Sequence, residues 1–488
     1  MAEQGGIILT LNELLNGVEH EGYVFDQQIK YISCDSRKVP SDSLFICIKG
    51  ENFDGHDKVM DVISKGVVAV VCERDLGIKS QILVSDTRVA YAKICANYFN
   101  NPSANLNMIG VTGTKGKTTI TKVVKSILEK NKLKSGLVGT IQSEIDTRVY
   151  SADKTTPDAY ELQSLFSEMT AKNCEYCVME VSSHAIEQSR VGSVHFSIGV
   201  FTNLAHEHLD YHDSMENYYN AKKKLFDHTD LAIINIDDEY GRRLLSEVKC
   251  KTVTYSVENP EADYYTENIK HINSKVEFTL VDTNKNNSGK VKFNMPGTFS
   301  AQNAIAAAAV CLNLDIPFNK IVNSLNNFTG VKGRCEVIPT EKDFTVICDF
   351  AHTPGSLENI LSALKEQCEG RLVALFGCGG DRDKAKRPLM GKAAAKYADF
   401  LIITSDNPRT ENPDDIINDI LTGIDKDNVK YITIPNRREA IHYAIDNAQP
   451  KDMIVLAGKG HEDYQIIGHE KNHFDEREIV TQAIEMMK

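Results

Sequence analysis

The stretch from Met108 to Thr119 constrains the fold more than any other part of the sequence. A short apolar run leads into a glycine-rich turn, then Gly116-Lys117-Thr118-Thr119, then an amphipathic segment. Apolar residues recur in that segment at the spacing of a helix with one buried face, namely Ile120, Val123, Val124, Ile127 and Leu128. A strand, a glycine turn and a helix start in this order form a phosphate cradle. Lys117 would supply a positive charge there, and the Thr118 hydroxyl would ligate Mg²⁺.

The glycine turn departs from the general phosphate-loop pattern at one position. The pattern places a glycine five residues before Gly116, where this chain has Val111. The core Gly113-x-x-Gly116-Lys117-Thr118 is present, and an ordinary glycine turn between a strand and a helix is the alternative. The residues expected to surround nucleotide phosphates are Gly113, Thr114, Lys115, Gly116, Lys117, Thr118 and Thr119.

Length and charge limit the class of protein. A chain of 488 residues is too long for a single hydrophobic core, and about three domains are expected. The net charge of −13 argues against a general binder of nucleic acids or anionic membranes, which need basic surfaces. The N-terminus lacks the features of a signal peptide, and no apolar run approaches membrane-spanning length. We therefore expect a cytoplasmic protein with no nucleic acid partner and no membrane insertion.

The 12 cysteines are scattered along the chain, and many of them stand inside apolar runs. The one close pair, Cys174 and Cys177, leads into a strand pattern and has no second pair nearby. Because metal-binding and disulfide-rich proteins group their cysteines, we expect buried reduced thiols here rather than zinc ligands or disulfides.

Residues 1–104 have the pattern of a first α/β domain. Polar loops flank an apolar strand at residues 44–48, and Ser36 precedes that strand. Its hydroxyl could bind a phosphate or a base edge, or could simply belong to a turn. The break at Asn101-Pro102-Ser103 predicts a linker before the phosphate loop.

Residues 105–337 are expected to form the nucleotide domain. Glu180 closes an apolar strand downstream of the phosphate loop, where an acidic residue often binds the Mg²⁺ of the nucleotide, although a structural acid is the alternative. Thr155 and Thr156 precede a helix and could contact an anion or cap that helix. The stretch 203–212 is dense in histidine and acidic residues, and one histidine beside the metal is favoured over a zinc site.

From residue 338 onward, apolar strands alternate with polar loops and amphipathic helices. We expect strands at 344–348, 372–376, 400–404, 431–434 and 453–456. In an open parallel sheet, ligands bind beyond the carboxyl ends of the strands, and four of these strands are followed by chemically rich loops. This domain is therefore expected to be a second binding half that closes on the nucleotide.

Six stretches along the chain belong together, namely Thr112–Thr118, Glu180–His184, Asn203–Asp210, Ala221-Lys222, Gly333–Glu336 and Asp349–His352. Together they resemble the Mur ligases, the ATP-dependent amide-forming enzymes of peptidoglycan precursor synthesis. The motifs that narrow it to the member adding the third residue of the stem peptide are Asp35–Arg37, Thr155–Asp158, Gly379–Lys384 and Asp406–Arg409. The resemblance implies an α/β fold with three domains. These are an N-terminal UDP-binding domain (1–104), a central P-loop-type ATPase domain with a parallel sheet (105–337), and a C-terminal Rossmann-like domain (338–488).

The resemblance also implies roles for single residues. Lys222 matches a lysine that CO₂ converts to a carbamate, which makes it an anionic metal ligand. Glu180 and His208 match the other residues around Mg²⁺, and Lys117, Lys222 and His208 would be catalytic. The residues that match further ATP contacts are Asn303, Arg334 and Asp349, although Asn303 could also be a helix cap. The residues that match contacts to the UDP-muramoyl dipeptide are Ser36, Thr155, Thr156, Ser183 and Arg190.

The implied reaction converts the γ-carboxylate of D-glutamate to an acyl phosphate, which the amine of the next amino acid attacks. A guanidinium can bind the second carboxylate of meso-diaminopimelate, which L-lysine lacks. Arg409 matches the family's diaminopimelate signature. The residues expected to bind diaminopimelate are Arg382, Asp406, Asn407, Pro408, Arg409, Gly458 and Glu462. A monomer with ATP, the UDP-muramoyl dipeptide and meso-diaminopimelate as partners is expected.

The alternatives are a lysine-adding ligase, a folylpolyglutamate synthetase, and a nucleotide-binding switch or silent scaffold. Asp35-Ser36-Arg37 and the Asp406–Arg409 stretch argue against both rival ligases. A guanine-specific switch would carry an Asn-Lys-x-Asp loop, which the sequence lacks. A silent relative would usually have lost metal ligands or the phosphate-loop lysine, and those residues are present.

Overall fold

A computed structural model describes residues 8–22, 27–50, 53–207, 209–272, 274–425 and 428–487. The chain forms two compact units, one of residues 1–204 with 208–253 and the other of residues 205–207 with 254–488. Both contain parallel sheets with helices packed on them, so the predicted α/β class is confirmed. Across the described ranges, no helix is long and apolar enough to cross a bilayer.

The first unit begins with a four-stranded sheet in which neighbouring strands run parallel. The strands of this part are β1 (Leu9–Thr10), β2 (Gln28–Ile29), β3 (Tyr31–Ser33), β4 (Ser43–Ile46), β5 (Ala69–Cys72) and β6 (Gln81–Leu83). The helices are α1 (Leu11–Leu14), α2 (Val59–Ser64) and α3 (Thr87–Tyr98). Side chains of a strand alternate between its two faces, so Leu44 and Ile46 pack with α1 and α3 while Phe45 packs with α2.

The second sheet of this unit is organised around β7 (Asn107–Thr112), the strand that leads into the phosphate loop. The other strands are β8 (Ser135–Val138), β9 (Gln142–Ile145), β10 (Arg148–Ser151), β11 (Tyr176–Glu180), β12 (Phe196–Phe201), β13 (Thr229–Asn235) and β14 (Lys251–Tyr255). The helices are α4 (Lys117–Lys130), α5 (Ala159–Ala171), α6 (Ser183–Glu187), α7 (Leu209–His212), α8 (Met215–Lys223) and α9 (Glu239–Glu247). The strands β8, β11, β7, β12 and β13 are parallel in that order, and the antiparallel hairpin β9–β10 extends the β8 edge.

The helix predicted after the phosphate loop is α4, and its predicted apolar face is buried. The side chains of Ile120, Val123, Val124, Ile127 and Leu128 are each at most 1% exposed. The helix lies against β7, β8 and β11, so its burial fixes the direction in which its N-terminus points. The N-terminal end of α4 is thereby held at the carboxyl end of β7.

The second unit contains an antiparallel meander and a mainly parallel sheet. The meander strands are β15 (Tyr264–Ile272), β16 (Lys275–Asp282) and β17 (Asn287–Phe293), with helices α10 (Thr298–Leu312) and α11 (Phe318–Asn326) packed on them. Helix α10 is rich in alanine and begins at Thr298, five residues before Asn303. Asn303 therefore lies inside α10, and the alternative that it caps this helix is wrong.

The parallel sheet of the second unit has the order β18-β19-β23-β20-β21-β22, with β18 alone antiparallel to its neighbour. The strands are β18 (Glu336–Ile338), β19 (Thr345–Asp349), β20 (Leu372–Phe376), β21 (Phe400–Ile403), β22 (Lys430–Thr433) and β23 (Met453–Ala457), followed by the hairpin β24 (Tyr464–Ile467) and β25 (Glu470–His473). The helices are α12 (Pro354–Lys365), α13 (Lys386–Tyr397), α14 (Pro413–Leu421), α15 (Arg437–Asp446) and α16 (Glu476–Met486). All five predicted strands are present, and the polar loops that follow β19, β20, β21 and β23 lie at one edge of the sheet.

All twelve cysteines lie in the described ranges and are free thiols, as predicted. Most are buried in the apolar cores of the sheets, for example Cys177 in β11 and Cys311 in α10. Burial raises the pKa of both thiols, so they remain protonated and unreactive at neutral pH. These cysteines therefore serve as small apolar packing residues.

A buried ion pair joins two strand ends in the second unit. Arg437, the first residue of α15, donates from Nε to Oε1 of Glu476 over 2.8 Å, and both side chains are fully buried. The same guanidinium donates to the carbonyl oxygens of Ser405 at 3.3 Å and Ala457 at 2.9 Å. Because Ser405 follows β21 and Ala457 ends β23, one side chain fixes the starts of two of the polar loops.

We predict that Glu476→Gln destabilises the second unit by about 3–5 kcal/mol, because it leaves the buried Arg437 charge uncompensated. Urea unfolding followed by circular dichroism measures the loss as a lower midpoint. Glu478→Gln is the matched control, since Glu478 lies in the same helix but forms an exposed pair with His473. Equal midpoints for the two variants would show that the Arg437 pair does not stabilise the fold.

Candidate active site

The phosphate loop joins β7 to α4 and depends on two glycines. Gly113 has a φ of +140° and Gly116 a φ of +88°, which residues with a side chain rarely adopt. A Cβ on Gly113 would lie 1.8 Å from Oγ1 of Thr202, so the end of β12 passes directly against the loop. The N–H groups of Thr114 and Lys115 donate to the backbone and side-chain oxygens of Asn203 over 2.8 Å and 2.9 Å. These contacts hold the loop in one conformation.

Lys117 and Thr118 are the first residues of α4, where the helix dipole favours an anion. The ammonium of Lys117 donates to the carbonyl oxygens of Gly113 and Thr114 over 2.8 Å and 3.0 Å, so it lies across the loop. The hydroxyl of Thr118 donates to Oε2 of Glu180 over 3.0 Å. The next residue, Thr119, is buried. The predicted phosphate-loop residues are thus brought together with the predicted metal-binding acid.

Glu180 ends β11 with its carboxylate buried at 1% exposure. Its Oε1 accepts the N–H of Thr140 at 2.8 Å, and its Oε2 lies 2.9 Å from the Thr140 hydroxyl. A Cβ on Gly139 would lie 2.5 Å from Oε1, so this glycine makes room for the acid. The carboxylate and the Thr118 hydroxyl are hard oxygen donors, the kind that Mg²⁺ prefers, and therefore fit that ion.

Lys222 reaches the same loop from α8. Its side chain is buried at 1% exposure, and its Nζ donates to the carbonyl oxygen of Gly113 over 3.0 Å. The Nζ also lies 4.5 Å from the ring centroid of Tyr218, whose hydroxyl is 3.2 Å from Oγ1 of Thr114. Lys222 and Lys117 therefore converge on one carbonyl oxygen. The role of Lys222 as a metal ligand stays a prediction.

The remaining predicted metal residue, His208, lies outside the described residues. Over the ranges that the structure does describe, no group of three or more His, Cys, Asp and Glu side chains could hold a metal ion. His212 in α7 is described and is buried, with its Nε2 2.9 Å from Oγ of Ser183. Its ring also stacks on Tyr218 at a centroid distance of 4.9 Å.

Four of the five residues predicted to contact the UDP-muramoyl dipeptide lie around the start of α6. The hydroxyl of Thr156 donates to the backbone oxygen of Glu180 over 2.8 Å, and Nη1 of Arg190 donates to the backbone oxygen of Thr156 over 2.7 Å. Burial lowers the pKa of Arg190. Thr155 Oγ1 lies 3.1 Å from the hydroxyl of Thr140, and Ser183 is the first residue of α6.

The fifth of these residues, Ser36, is placed elsewhere in the first unit. It is buried beyond the carboxyl end of β3, and its backbone oxygen accepts Nζ of Lys65 over 2.6 Å.

The predicted ATP contacts Asn303, Arg334 and Asp349 belong to the second unit. The guanidinium of Arg334 lies 4.8 Å from the ring centroid of Phe350. The carboxylate of Asp349 accepts the N–H groups of Cys335 at 2.7 Å and Ala351 at 2.8 Å, so this acid organises the loop that carries Arg334. Asn303 is separate from this pair, inside α10.

His461 joins the Arg334 group from the loop after β23. Its ring lies 4.8 Å from that of Phe350. Burial and the nearby charges of Arg334 and Lys332 lower the pKa of His461 to about 4, so its imidazole is neutral at physiological pH.

The residues predicted to bind diaminopimelate lie together at the carboxyl edge of the parallel sheet. The amide of Asn407 donates from Nδ2 to Oε2 of Glu462 over 3.0 Å, and its Oδ1 accepts the N–H of Ile466 at 2.9 Å. Gly458 has a φ of +114°, and a Cβ on it would lie 2.6 Å from Oδ2 of Asp406. Glu462 is partly buried, and desolvation raises its pKa. The loops after β21 and β23 are therefore joined directly to each other.

Arg409 adopts a left-handed backbone conformation with a φ of +51°. The hairpin β24–β25 holds it there, because the N–H of Arg409 donates to Ile466 at 3.1 Å and the N–H of Gly468 donates to Arg409 at 2.8 Å. Its Nη1 donates to the backbone oxygen of Gly380 over 2.9 Å. A Cβ on Gly380 would lie 1.9 Å from the backbone oxygen of Pro408. The loop after β20 thus packs on the predicted signature.

Arg382, on that same loop, is exposed and donates from Nη1 to the backbone oxygen of Asp381 over 3.2 Å. The chain around it is fixed by Asp381, whose N–H donates to Glu411 over 2.6 Å and whose carboxylate accepts from Thr410. Arg382 therefore stands on a fixed loop, and its side chain is open to solvent.

Sequence reasoning did not assign five side chains of these clusters, namely Thr140, His212, Tyr218, His461 and Lys459, whose Nζ donates to Oδ1 of Asn407 over 3.0 Å. Thr140 stands in no recognisable motif, so nothing in the sequence signals its bonds to Glu180. Lys459 lies between Gly458 and Gly460, in a loop where Gly458 and Glu462 were predicted to bind diaminopimelate. A charged residue in such a loop is the one signal that could have identified it.

Three family models match consecutive parts of the chain. They are the Mur ligase family, catalytic domain (residues 28–111), the Mur ligase middle domain (111–311), and the Mur ligase, glutamate ligase domain (333–460). The boundaries near residues 104 and 337 remain predictions.

The chain is also similar to curated proteins over nearly their whole length. It is 48% identical to the UDP-N-acetylmuramoyl-L-alanyl-D-glutamate–2,6-diaminopimelate ligase of Caldanaerobacter subterraneus subsp. tengcongensis, covering 98% of this chain and 99% of that protein. It is 44% identical to such a ligase, number 1, of Clostridium acetobutylicum, with the same coverage. A solved structure of a ligase with this name has a TM-score of 0.73 and 31% identity, covering 99% of both chains. The chain therefore belongs to the Mur ligase family of ATP-dependent ligases, as its motifs predicted.

Proposed function

We propose that this chain joins meso-diaminopimelate to the γ-carboxylate of D-glutamate in UDP-N-acetylmuramoyl-L-alanyl-D-glutamate, with conversion of ATP to ADP and phosphate. The observation that carries the proposal is the cluster of polar side chains at the carboxyl edge of the second unit's parallel sheet. It offers a guanidinium (Arg409), an amide (Asn407) and a carboxylate (Glu462), which suit the carboxylate and ammonium at the far end of diaminopimelate. The names of the similar ligases support the same substrates.

The phosphate loop suits the activation of the glutamyl carboxylate. One carboxylate oxygen attacks the γ-phosphorus of ATP, ADP leaves, and an acyl phosphate forms. Lys117 and the N-terminus of α4 stabilise the negative charge of the transferring phosphoryl group. Mg²⁺, held by Thr118, Glu180 and His208, would add positive charge to the same oxygens. A protein nucleophile is not required, so the main task of the site is positioning.

The carbamate on Lys222 is part of this proposal. The ammonium groups of Lys117 and Lys222 both donate to the carbonyl oxygen of Gly113. These two like charges repel each other, and the Lys222 side chain is buried. Addition of CO₂ to Nζ of Lys222 would turn one cation into an anion, which attracts Lys117 and offers further oxygen donors to Mg²⁺. The buried position and the direction of Lys222 support that modification.

The remaining predicted residues would hold the two larger substrates. Thr155, Thr156, Ser183 and Arg190 would contact the peptide end of the UDP-muramoyl dipeptide, with Ser36 at its nucleotide end. Asn303, Arg334 and Asp349 would contact ATP beyond its phosphates. Hydroxyl and guanidinium groups donate hydrogen bonds to an anionic substrate such as the UDP-muramoyl dipeptide. The amide of Asn303 suits the edge of the adenine ring.

In the second step, the amine of diaminopimelate attacks the carbonyl carbon of the acyl phosphate. The new C–N bond replaces the C–O bond, phosphate leaves, and the nitrogen loses its extra proton. Asp406, Pro408 and Gly458 would shape the pocket, and Arg382 would be a second guanidinium beside Arg409. We also propose that the chain acts as a cytoplasmic monomer with domains at 1–104, 105–337 and 338–488.

The direct test is an end-point assay with ATP, the UDP-muramoyl dipeptide and one amino acid at a time. We expect a product with the mass of the diaminopimelate adduct, and ADP formation that requires the UDP-muramoyl dipeptide. L-lysine should react about ten- to a hundredfold more slowly, because it leaves Arg409 without an anionic partner, a loss of roughly 1.5–3 kcal/mol. Equal use of both amino acids would favour a lysine-adding ligase, and ADP formation from ATP alone would favour a nucleotide switch.

Arg409→Lys should raise the KM for meso-diaminopimelate about ten- to a hundredfold and leave kcat within about threefold. The reason is that an ammonium cannot make the two parallel hydrogen bonds of a guanidinium to a carboxylate. Steady-state kinetics with varied diaminopimelate measures the effect. Arg438→Lys is the control, since Arg438 is an exposed arginine of α15 outside the pocket. An unchanged KM in Arg409→Lys would remove Arg409 from the binding site.

Thr140→Val should raise the half-saturating Mg²⁺ concentration of the reaction by about tenfold. The change removes the hydroxyl beside Glu180, and residues that orient metal ligands affect metal affinity by about 10- to 100-fold. Thr140→Ser keeps the hydroxyl and serves as the control. If Thr140→Val and the wild-type protein have the same half-saturating Mg²⁺ concentration, the Thr140 hydroxyl does not orient Glu180 as a metal ligand.

A further inference from the structure

Lys459 is a charged side chain that the proposed reaction leaves without a role. It follows Gly458 in the loop after β23, and its ammonium is fully buried. Its Nζ donates to Oδ1 of Asn407 over 3.0 Å and to the backbone oxygen of Tyr464 over 2.8 Å. The same Nζ lies 3.4 Å from Oε2 of Glu462. A lysine is rarely buried this completely unless its charge is used.

The contacts of Lys459 fix the orientation of the Asn407 amide. Oδ1 of Asn407 accepts two donors, the Nζ of Lys459 and the N–H of Ile466. Because the oxygen side of the amide is occupied, its NH₂ group faces Oε2 of Glu462. If the amide were flipped, its NH₂ group would face the donors of Lys459 and Ile466, and its oxygen would face the carboxylate of Glu462. Lys459 and the N–H of Ile466 therefore together fix which atom of Asn407 meets the carboxylate.

The charge of Lys459 also acts on the pocket carboxylates. Burial raises the pKa of Glu462, Lys459 lowers it, and Asp406 raises it. Asp406 itself is 3.9 Å from Nζ of Lys459. Two further groups lie near these carboxylates, Tyr464 of the hairpin and Arg409 of the loop after β21. Burial and the charge of Glu462 raise the pKa of Tyr464, and the charge of Arg409 lowers it. The ammonium of Lys459 thus faces both carboxylates, and the guanidinium of Arg437 also interacts with Asp406.

We propose that Lys459 is a positioning residue for the amino-acid substrate. It holds the Asn407 amide and the Glu462 carboxylate in the arrangement that receives the distal ammonium of the incoming amine. This role rests on the proposed function, in which Glu462 and Asn407 line the diaminopimelate pocket. A purely structural lysine is the competing explanation, because Nζ also ties the loop to β24 and lies 5.8 Å from the ring centroid of Phe474.

The test begins with Lys459→Met, assayed by steady-state kinetics with each substrate varied in turn. We expect the KM for meso-diaminopimelate to rise tenfold or more, with kcat and the KM values for ATP and the UDP-muramoyl dipeptide within about threefold. Lys471→Met is the matched control, since Lys471 is exposed and also contacts the ring of Tyr464, at 3.6 Å, and it should behave like the unchanged chain. An unchanged diaminopimelate KM in folded Lys459→Met overturns the proposal.

A double-mutant cycle separates positioning from plain stabilisation. If Lys459 acts through Glu462, Lys459→Met should change the diaminopimelate KM by less than about twofold in a Glu462→Gln background. An equal effect in both backgrounds would show that the lysine is merely structural. If Lys459→Met does not fold, Lys459→Arg replaces it in the same cycle. If the wild-type protein forms no diaminopimelate adduct, the proposed function is wrong. If the wild-type protein forms the adduct and Lys459→Met has the same KM for diaminopimelate, only the role of Lys459 is wrong.

Discussion

The interaction on which the first unit depends is the set of hydrogen bonds around the buried carboxylate of Glu180. Thr118 of the phosphate loop and Thr140 of the loop after β8 both donate to it. A buried carboxylate is stable only if it is hydrogen-bonded or paired with a cation. Three chain segments, β11, α4 and the β8 loop, are therefore held together by the group that is best suited to bind Mg²⁺. The contacts that stabilise this part of the unit are thus the ones that assemble its phosphate site.

The second unit applies the same principle to its substrate loops. Arg437 bonds to the chain just beyond β21 and to the end of β23, and Lys459 bonds to the loops that follow them. Both cations are buried, so each needs the acceptors that it finds at the strand ends. The loops of a parallel sheet are mobile when they carry only solvent contacts. Here buried charges fix the loops before a substrate arrives, which reduces the entropy that binding must overcome.

The predictable parts of this chain are those encoded by local periodicity or by a dense motif. The buried face of α4 and the five strands after residue 338 follow from the spacing of apolar residues, and Glu180 follows from its place at a strand end. Thr140 could not be identified, because its role depends on the parallel pairing of β8 with β11. That pairing brings Thr140 to Glu180, which lies 40 residues away in the sequence. The left-handed conformation of Arg409 is set by backbone bonds from a hairpin, which no pattern around Arg409 encodes.

The central claim is that the site formed by the phosphate loop and Glu180 transfers a phosphoryl group to a carboxylate of the UDP-muramoyl substrate. Substrate labelled with ¹⁸O in the D-glutamate γ-carboxylate tests it directly, with mass analysis of the released phosphate. The account predicts that each phosphate formed with the amide product carries one ¹⁸O atom, because the C–O bond of the acyl phosphate breaks in the second step. Phosphate without ¹⁸O, formed together with the amide, would contradict it.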